Sequence, residues 1–588
     1  METVAISFWL DNLLPNKHGA MLIGAAGCGK TAMINGKLRA LPADFASQII
    51  NINYYTNSNM FQKVLEAPLE KKAGKNFGPP GNKKLIYFVD DLNMAALDKY
   101  GTASNISLMR QHMGYNHIYD MNKLTEKVLL NTQYLAAMNP TAGSFIVNPR
   151  LQRLFATFAI SFPSIEALNT IYATFLLGHL SNFNDETQEV GKRLVQAALQ
   201  LHKRVASTFR KTASNFHYEF NVRHVAGVFQ GMLMGQPGQV AEPLKMVQLW
   251  LHESERTYGD RLVSVSDLKK YKELAVEQVG RRGSRETGRL ERGGAAERDG
   301  EDGREEKRVC HFAQGVGDKV YDRVTTFTDL SNLLNGALDE YNETNAAMNL
   351  VLFEDAMRHV CRISRIIEGS GGHALMVGVG GMGKQSLARL ATFVNGYSAF
   401  QVVITARYGV NDLKADLQTM YRKAGLKNEG ISFIFTDQQI ADERFLVFMN
   451  DLLSSGNIPG LFPGEDMDDI INNVRPMVKR AGLADTRDNC WDMFINTVRD
   501  NLHVILCFSP IGEPIKIRTR RFPALVNCVV IDWFQPWPEE ALTSVSKRFL
   551  DNVELGEPES KLAIINFMPY SFIAVNKVSE AYEAQERR

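Results

Sequence analysis

The chain has 588 residues, 45% of them hydrophobic and 22% charged, with a formal net charge of +1; at about 150 residues per folding unit, roughly four units are expected, each able to bury a core. A charge so near zero supplies no field for a polyanion, and no apolar run approaches the roughly 18 residues of a membrane span, so nucleic acid and bilayer are excluded as partners. Six cysteines without a C-x-x-C pair, and an N-terminus without a basic stretch leading an apolar one, fit a reducing compartment and give no secretory signal.

The run Ala20-Met21-Leu22-Ile23 reads as a buried strand and leads into Gly24-Ala25-Ala26-Gly27-Cys28-Gly29-Lys30-Thr31 ahead of a helical pattern. Strand, glycine-rich turn and helix N-terminus together make a phosphate cradle. Gly24, Gly27 and Gly29 let backbone N–H groups turn inward, Lys30 reaches the terminal phosphates, and the Thr31 hydroxyl coordinates Mg²⁺. Cys28 reads as a small tolerated side chain. The strand Lys84-Leu85-Ile86-Tyr87-Phe88-Val89 then ends in Asp90-Asp91, a Walker B pattern in which Asp90 holds the metal through water and Asp91 orients or deprotonates the attacking water. A third strand, Gln133 to Met138, ends in Asn139, whose amide suits a sensor of the same water. Arg223 is a candidate γ-phosphate contact from a helical lid.

From about 280 to 308 the chain is mostly Gly, Arg and Glu, with Leu290 its one large aliphatic. Such a segment has too little to bury to order itself. An Arg/Gly tract can bind RNA, but here acidic residues nearly balance the basic ones and no aromatic is interleaved, so a disordered insertion or a piece of translated intron is the expectation.

The second half repeats the first. Ala374-Leu375-Met376-Val377 leads into Gly378-Val379-Gly380-Gly381-Met382-Gly383-Lys384-Gln385-Ser386, where Gly378, Gly381, Gly383 and Lys384 again form a phosphate loop. Gln385 stands in the usual Ser/Thr position, leaving it or Ser386 to reach the metal. The strand Ile431 to Thr436 ends in Asp437-Gln438: Asp437 keeps the metal role, but an amide cannot accept the water's proton. This site is therefore expected to bind ATP with little turnover, with Ser509 in the sensor position. The cluster Arg518-Thr519-Arg520-Arg521 is a source for an arginine finger aimed at the first site, Arg520 the first choice and Arg518 the second. Asn148 to Arg153 is the corresponding cluster for a module ahead of the first.

Several longer strings resemble one family. Ala67-Pro68-Leu69-Glu70-Lys71-Lys72-Ala73-Gly74, Phe77-Gly78-Pro79-Pro80-Gly81, Asp90-Asp91-Leu92-Asn93-Met94, Arg110-Gln111-His112-Met113 and Met138 to Phe145 resemble the third AAA+ module of an axonemal dynein heavy chain. Val351 to Met357, Gly378 to Ser386, Asp485-Thr486-Arg487-Asp488-Asn489-Cys490-Trp491 and Cys507-Phe508-Ser509-Pro510 resemble the fourth, most like outer-arm beta-type chains.

The resemblance implies an α/β fold of two tandem AAA+ modules, each a parallel-sheet large domain with a helical small domain. The expected divisions are 1–165 and 166–275 for the first module, 276–312 for the insertion, and 313–535 and 536–588 for the second, the last leading toward a stalk. It implies ATP or ADP with Mg²⁺ as cofactors and AAA+ ATPase chemistry regulating a minus-end-directed motor. Implied partners are the other ring modules, intermediate and light chains through a tail, and microtubules through a stalk tip, in the cytoplasm, cytoskeleton and ciliary axoneme. It also implies a partial molecule, without the main hydrolytic site. Two other readings stay open: a segment of another six-module AAA+ machine, such as the ribosome-maturation ATPase, and a non-enzymatic truncated product.

Overall fold

Side chains alternate across a strand, and in this chain both faces are apolar. Met21 packs with Tyr87, Val89 and Tyr134 on one side, while Ala20 and Leu22 join Ile34, Ile86 and Phe88 on the other. The computed structural model, which describes residues 2–140, 147–240, 242–280, 308–313, 315, 320–324, 326–551, 553–554 and 558–586, builds these runs into a covered parallel sheet. Strands β1 (Gly19–Gly24), β2 (Phe45–Asn51), β3 (Lys84–Asp90), β4 (Thr132–Met138) and β5 (Phe155–Ile160) lie in the order β2-β3-β4-β1-β5. Helix α1 (Lys30–Arg39) follows β1 directly. A four-stranded side sheet from Glu70–Lys71, Asn76–Gly78, Glu126–Leu129 and His117–Tyr119 projects from the connections.

Beyond β5 the apolar period changes from two to that of a helix. Five helices between Ile165 and Gly280, among them α2 (Val222–Met232) and α3 (Pro243–Ser254), close around Trp250, Leu176, Val205 and Tyr258. The Gly/Arg/Glu tract at 281–307 lies outside the described residues. At Arg308–Cys310 the chain is already paired, antiparallel with Asp322–Val324, ahead of the boundary placed at 313. Tyr321 of this hairpin enters the helical core, whereas Cys310 and Phe312 enter the core of the second half.

The second half repeats the first sheet strand for strand. Strands β6 (Ala374–Val377), β7 (Ser398–Gln401), β8 (Ile431–Thr436), β9 (Leu502–Phe508) and β10 (Val530–Trp533) take the order β7-β8-β9-β6-β10. Helices α4 (Glu354–Ile367) and α5 (Lys384–Val394) flank β6; α6 (Pro514–Arg521) and α7 (Ala524–Asn527) connect β9 to β10; α8 (Pro558–Glu586) is the last of the described elements. In each sheet the phosphate loop follows the fourth strand in spatial order and the acidic strand lies two places away, so the motifs gather at the carboxyl edge.

The helical unit of the first half docks on the sheet of the second through a buried ionic seam. Glu253, fully buried on α3, pairs with Arg256 at 2.9 Å, with Arg365 of α4 at 3.3 Å, and accepts a hydrogen bond from Tyr321. Burial alone would raise this carboxyl, yet the two guanidiniums hold it well below the usual range. Beside it, Arg362 bridges Asp260 at 2.8 Å and Asp532 at 3.2 Å, and His359 reaches Asp532 at 2.6 Å. The backbone N–H of Trp533 donates to the Asp260 carbonyl at 3.0 Å, and the indole stacks on His217 at 4.9 Å.

Candidate nucleotide sites

The first loop turns sharply into α1 because Gly29 caps the helix with φ +93°, a left-handed conformation that a side chain would disfavour. The Lys30 ammonium, buried under the loop, donates to the carbonyls of Gly24 at 2.8 Å and Ala25 at 2.9 Å. One residue on, the Thr31 hydroxyl donates to Asp90 Oδ2 at 2.7 Å. Asp90 Oδ1 accepts the backbone N–H of Asp91 at 3.0 Å, and Asp91 itself sits at φ +52°, turned out of the strand line. Burial raises both carboxyls; in Asp91 the neighbouring Asp90 charge adds to it and pushes the group up to about 7. Asn139 follows β4, the strand paired with β3, and its carbonyl accepts from the Asn93 amide at 2.8 Å. The donor set of hydroxyl and carboxylate oxygens is that of a hard divalent cation, so Mg²⁺ fits here.

Arg223 opens α2, whose N-cap Asn221 packs close enough that a Cβ on Gly27 would lie 3.1 Å from it. Its positive charge lowers both Asp90 and Asp91. Its guanidinium donates to the Asn527 carbonyl at 3.3 Å and Cys528 Sγ at 3.6 Å, both from the second half. The neighbouring cluster approaches the same edge. Arg521 lies over Tyr54 at 4.7 Å and reaches the Tyr55 hydroxyl at 3.4 Å, while Phe522 stacks on Tyr55. Arg520 is exposed on α6. Arg518 turns the other way, into the second site. Arg521 was legible as part of the arginine cluster; nothing in the sequence marked Asn527 or Cys528.

In the second site Gly383 caps α5 at φ +79° as Gly29 does α1, and Lys384 repeats the Lys30 contacts, to Gly378 O at 2.6 Å and Val379 O at 2.8 Å. Around Asp437 the likeness ends. Its Oδ1 is held by Arg518 at 2.9 Å and its Oδ2 by the backbone N–H of Ser509 at 2.5 Å. Arg518 is fixed in turn by Glu443 at 3.0 Å. The carbonyl oxygen of the exposed Gln385 side chain accepts from Gln401 at 3.2 Å, Ser386 is half-buried, and Gln438 is exposed. The metal roles read for Asp437, Gln385 and Ser386 therefore meet a site whose one central carboxylate is already paired with a guanidinium.

Comparison with known proteins follows this division. Residues 1–163 match the family described as P-loop containing dynein motor region, residues 348–588 the P-loop containing dynein motor region D4, and residues 194–282 the AAA+ lid domain. The chain is 54% identical to the dynein alpha chain of the flagellar outer arm of Chlamydomonas reinhardtii, 48% to the ciliary dynein beta chain of Tripneustes gratilla and 49% to dynein axonemal heavy chain 17 of Mus musculus. Each alignment takes in 100% of this chain and 13% of the relative, so the chain spans 13% of the length of these proteins. The likeness extends to alpha and beta chains alike.

Proposed function

The chain belongs to the axonemal dynein heavy chains, and from that premise we propose that it acts as an ATP-binding regulatory segment of a dynein motor ring. The first site binds ATP and hydrolyses it slowly; the second chiefly holds nucleotide. The observation that carries this reading is the contrast between Thr31 hydrogen-bonded to Asp90 at 2.7 Å in one site and Arg518 paired with Asp437 at 2.9 Å in the other.

At the first site the loop N–H groups and Lys30 bind the phosphates, and Asp91 takes the proton of the attacking water. Asp91 is a methylene shorter than glutamate and reaches that water less well, which supports slow turnover. Asn139 orients the water. Thr31 and Asp90 would hold Mg²⁺, which when bound neutralises charge on the transferring phosphoryl group. Arg223 serves from the lid, and Arg521, which contacts Tyr54 and Tyr55 of the first half, is favoured over the exposed Arg520 as the residue of this cluster that completes the site from its neighbour.

The wider reading follows the relatives: assembly with the remaining ring modules, coupling to intermediate and light chains and to microtubules through other parts of a heavy chain, and residence in the ciliary axoneme. Single-turnover hydrolysis and nucleotide titration of Lys30→Ala, Lys384→Ala and the double variant test the site assignments. Lys30→Ala is expected to remove most hydrolysis, and Lys384→Ala to remove binding without much loss of turnover. Hydrolysis surviving in Lys30→Ala but lost in Lys384→Ala would reverse the roles.

A further inference from the structure

We infer that the second site takes its nucleotide without a divalent metal, with the Arg518 guanidinium as its fixed cation. The inference rests on the proposed function insofar as that site is read as a nucleotide binder. The residues present do not suit the Mg²⁺ that such a loop ordinarily shares with its nucleotide.

Three features differ from the first site. Asp90 keeps a hydroxyl partner in Thr31 and has a second carboxyl group, Asp91, next to it, so the first site gathers hard oxygen donors suited to a divalent cation. Asp437 has no such neighbour at 438, which is glutamine, and each of its oxygens is engaged, one by Arg518 and one by the Ser509 N–H. The loop position after the lysine offers the Gln385 amide, whose oxygen accepts from Gln401 rather than a hydroxyl aimed at the acid.

The guanidinium is also not a loose surface group. The Arg518 side chain is only 13% exposed and is held by two carboxylates, Asp437 at 2.9 Å and Glu443 at 3.0 Å. A planar fork pinned from two sides retains N–H donors and its charge while losing little further freedom on meeting an anion. The Lys384 charge acts on the same Asp437 carboxyl. Two protein cations thus converge on the carboxylate around which a phosphate chain and its metal would otherwise be organised. A metal binding directly at Asp437 must compete with Arg518 for the carboxylate, and displacing the guanidinium would leave it facing Glu443 alone. Mg²⁺ gives up its own water reluctantly and favours near-octahedral oxygen sites, so this exchange is unfavourable.

The test uses the full chain with Lys30→Ala to silence the first site, and titrates fluorescent ADP and ATP with excess Mg²⁺ or with excess EDTA. The expected result is that affinity differs by no more than about twofold between the two conditions, whereas the Lys384→Ala chain, reporting the first site, loses about tenfold or more in EDTA. A loss of about tenfold or more at the second site on chelation would overturn the inference while leaving the site a nucleotide binder. No binding in either condition would overturn the assignment of that site and the inference with it. Arg518→Gln in the Lys30→Ala background separates charge from packing: metal-free affinity is expected to fall about tenfold and Mg²⁺ to recover part of it. Arg518→Lys keeps the charge and should retain more metal-free affinity than Arg518→Gln. Metal-free affinity unchanged in Arg518→Gln, with the thermal transition also unchanged, would show that Arg518 is not the cation.

Discussion

Arg223, at the start of a lid helix in the first half, donates to the carbonyl of Asn527 in the second, two residues 527 − 223 = 304 apart in sequence and 3.3 Å apart in space. The arginine that faces the Asp90-Asp91 pair is thus positioned by the neighbouring module as well as by its own helix. Arg223→Ala is expected to lower first-site single-turnover hydrolysis by about 10²-fold, the scale of losing one fixed donor to developing charge. Arg223→Lys should recover little, because an ammonium cannot span both sides as the fork does. A wild-type rate in Arg223→Ala would remove this residue from the site.

Asp91 should give the first site a pH dependence. Burial and the Asp90 charge push its carboxyl up to about 7. A base works only when deprotonated, so hydrolysis in a Lys384→Ala chain is expected to rise through about pH 7 and to fall about tenfold for each unit below it. Stability has the opposite slope. An acid whose folded value is raised holds its proton more tightly in the folded chain, so its contribution is complete below the unfolded value near 4 and is lost as pH climbs toward about 7. Asp91→Asn should flatten the rate profile at a low level and raise the nucleotide-free Tm at about pH 8 by a few degrees. A lowered Tm there would contradict this account.

The seam between the halves should be intolerant of losing one charge. Glu253→Ala leaves Arg256 and Arg365 buried without their shared carboxylate, which typically costs about 3–5 kcal/mol. Urea denaturation of the full chain is expected to show that loss in the transition of the helical unit, together with weaker docking on the second half. Gly231→Ala offers an independent probe, since a Cβ there would lie 1.8 Å from Glu253 Oε2 and must displace it. An unaltered transition in both variants would mean that the seam contributes little.

Arg521 and Arg520 should separate cleanly. Arg521→Ala removes the contacts to Tyr54 and Tyr55 and is expected to slow first-site hydrolysis by about tenfold or more, with ATP affinity less affected. Arg520→Ala, from an exposed position, should stay within about twofold of the parent. The reverse ranking would restore Arg520 to the role first read for it.

Much of this was legible in the sequence because phosphate loops and buried parallel strands depend on contiguous residues. Gly24 to Thr31 and Gly378 to Ser386 each announce a strand, a turn and a helix within a few positions, and Asp90 and Asp437 follow runs apolar on both faces. What the sequence withheld depends on direction. Arg518 and Arg521 lie three residues apart on one helix, 521 − 518 = 3, yet one ends in its own module's acidic strand and the other on its neighbour's tyrosines. Only the placement of α6 between two modules decides which arginine serves which site. Asn527 contributes through its carbonyl, a group every residue carries, so no side-chain pattern could mark it.

The stretch from Phe522 to Phe534 is part of both sites at once. Phe522 stacks on Tyr55 near the first acidic pair, Asn527 holds Arg223, Asp532 anchors the ionic seam, and Phe534 crowds Gly378 so closely that a Cβ there would lie 2.8 Å away. Contacts that serve the first site, the ionic seam and the second phosphate loop are thus carried by one short stretch of chain.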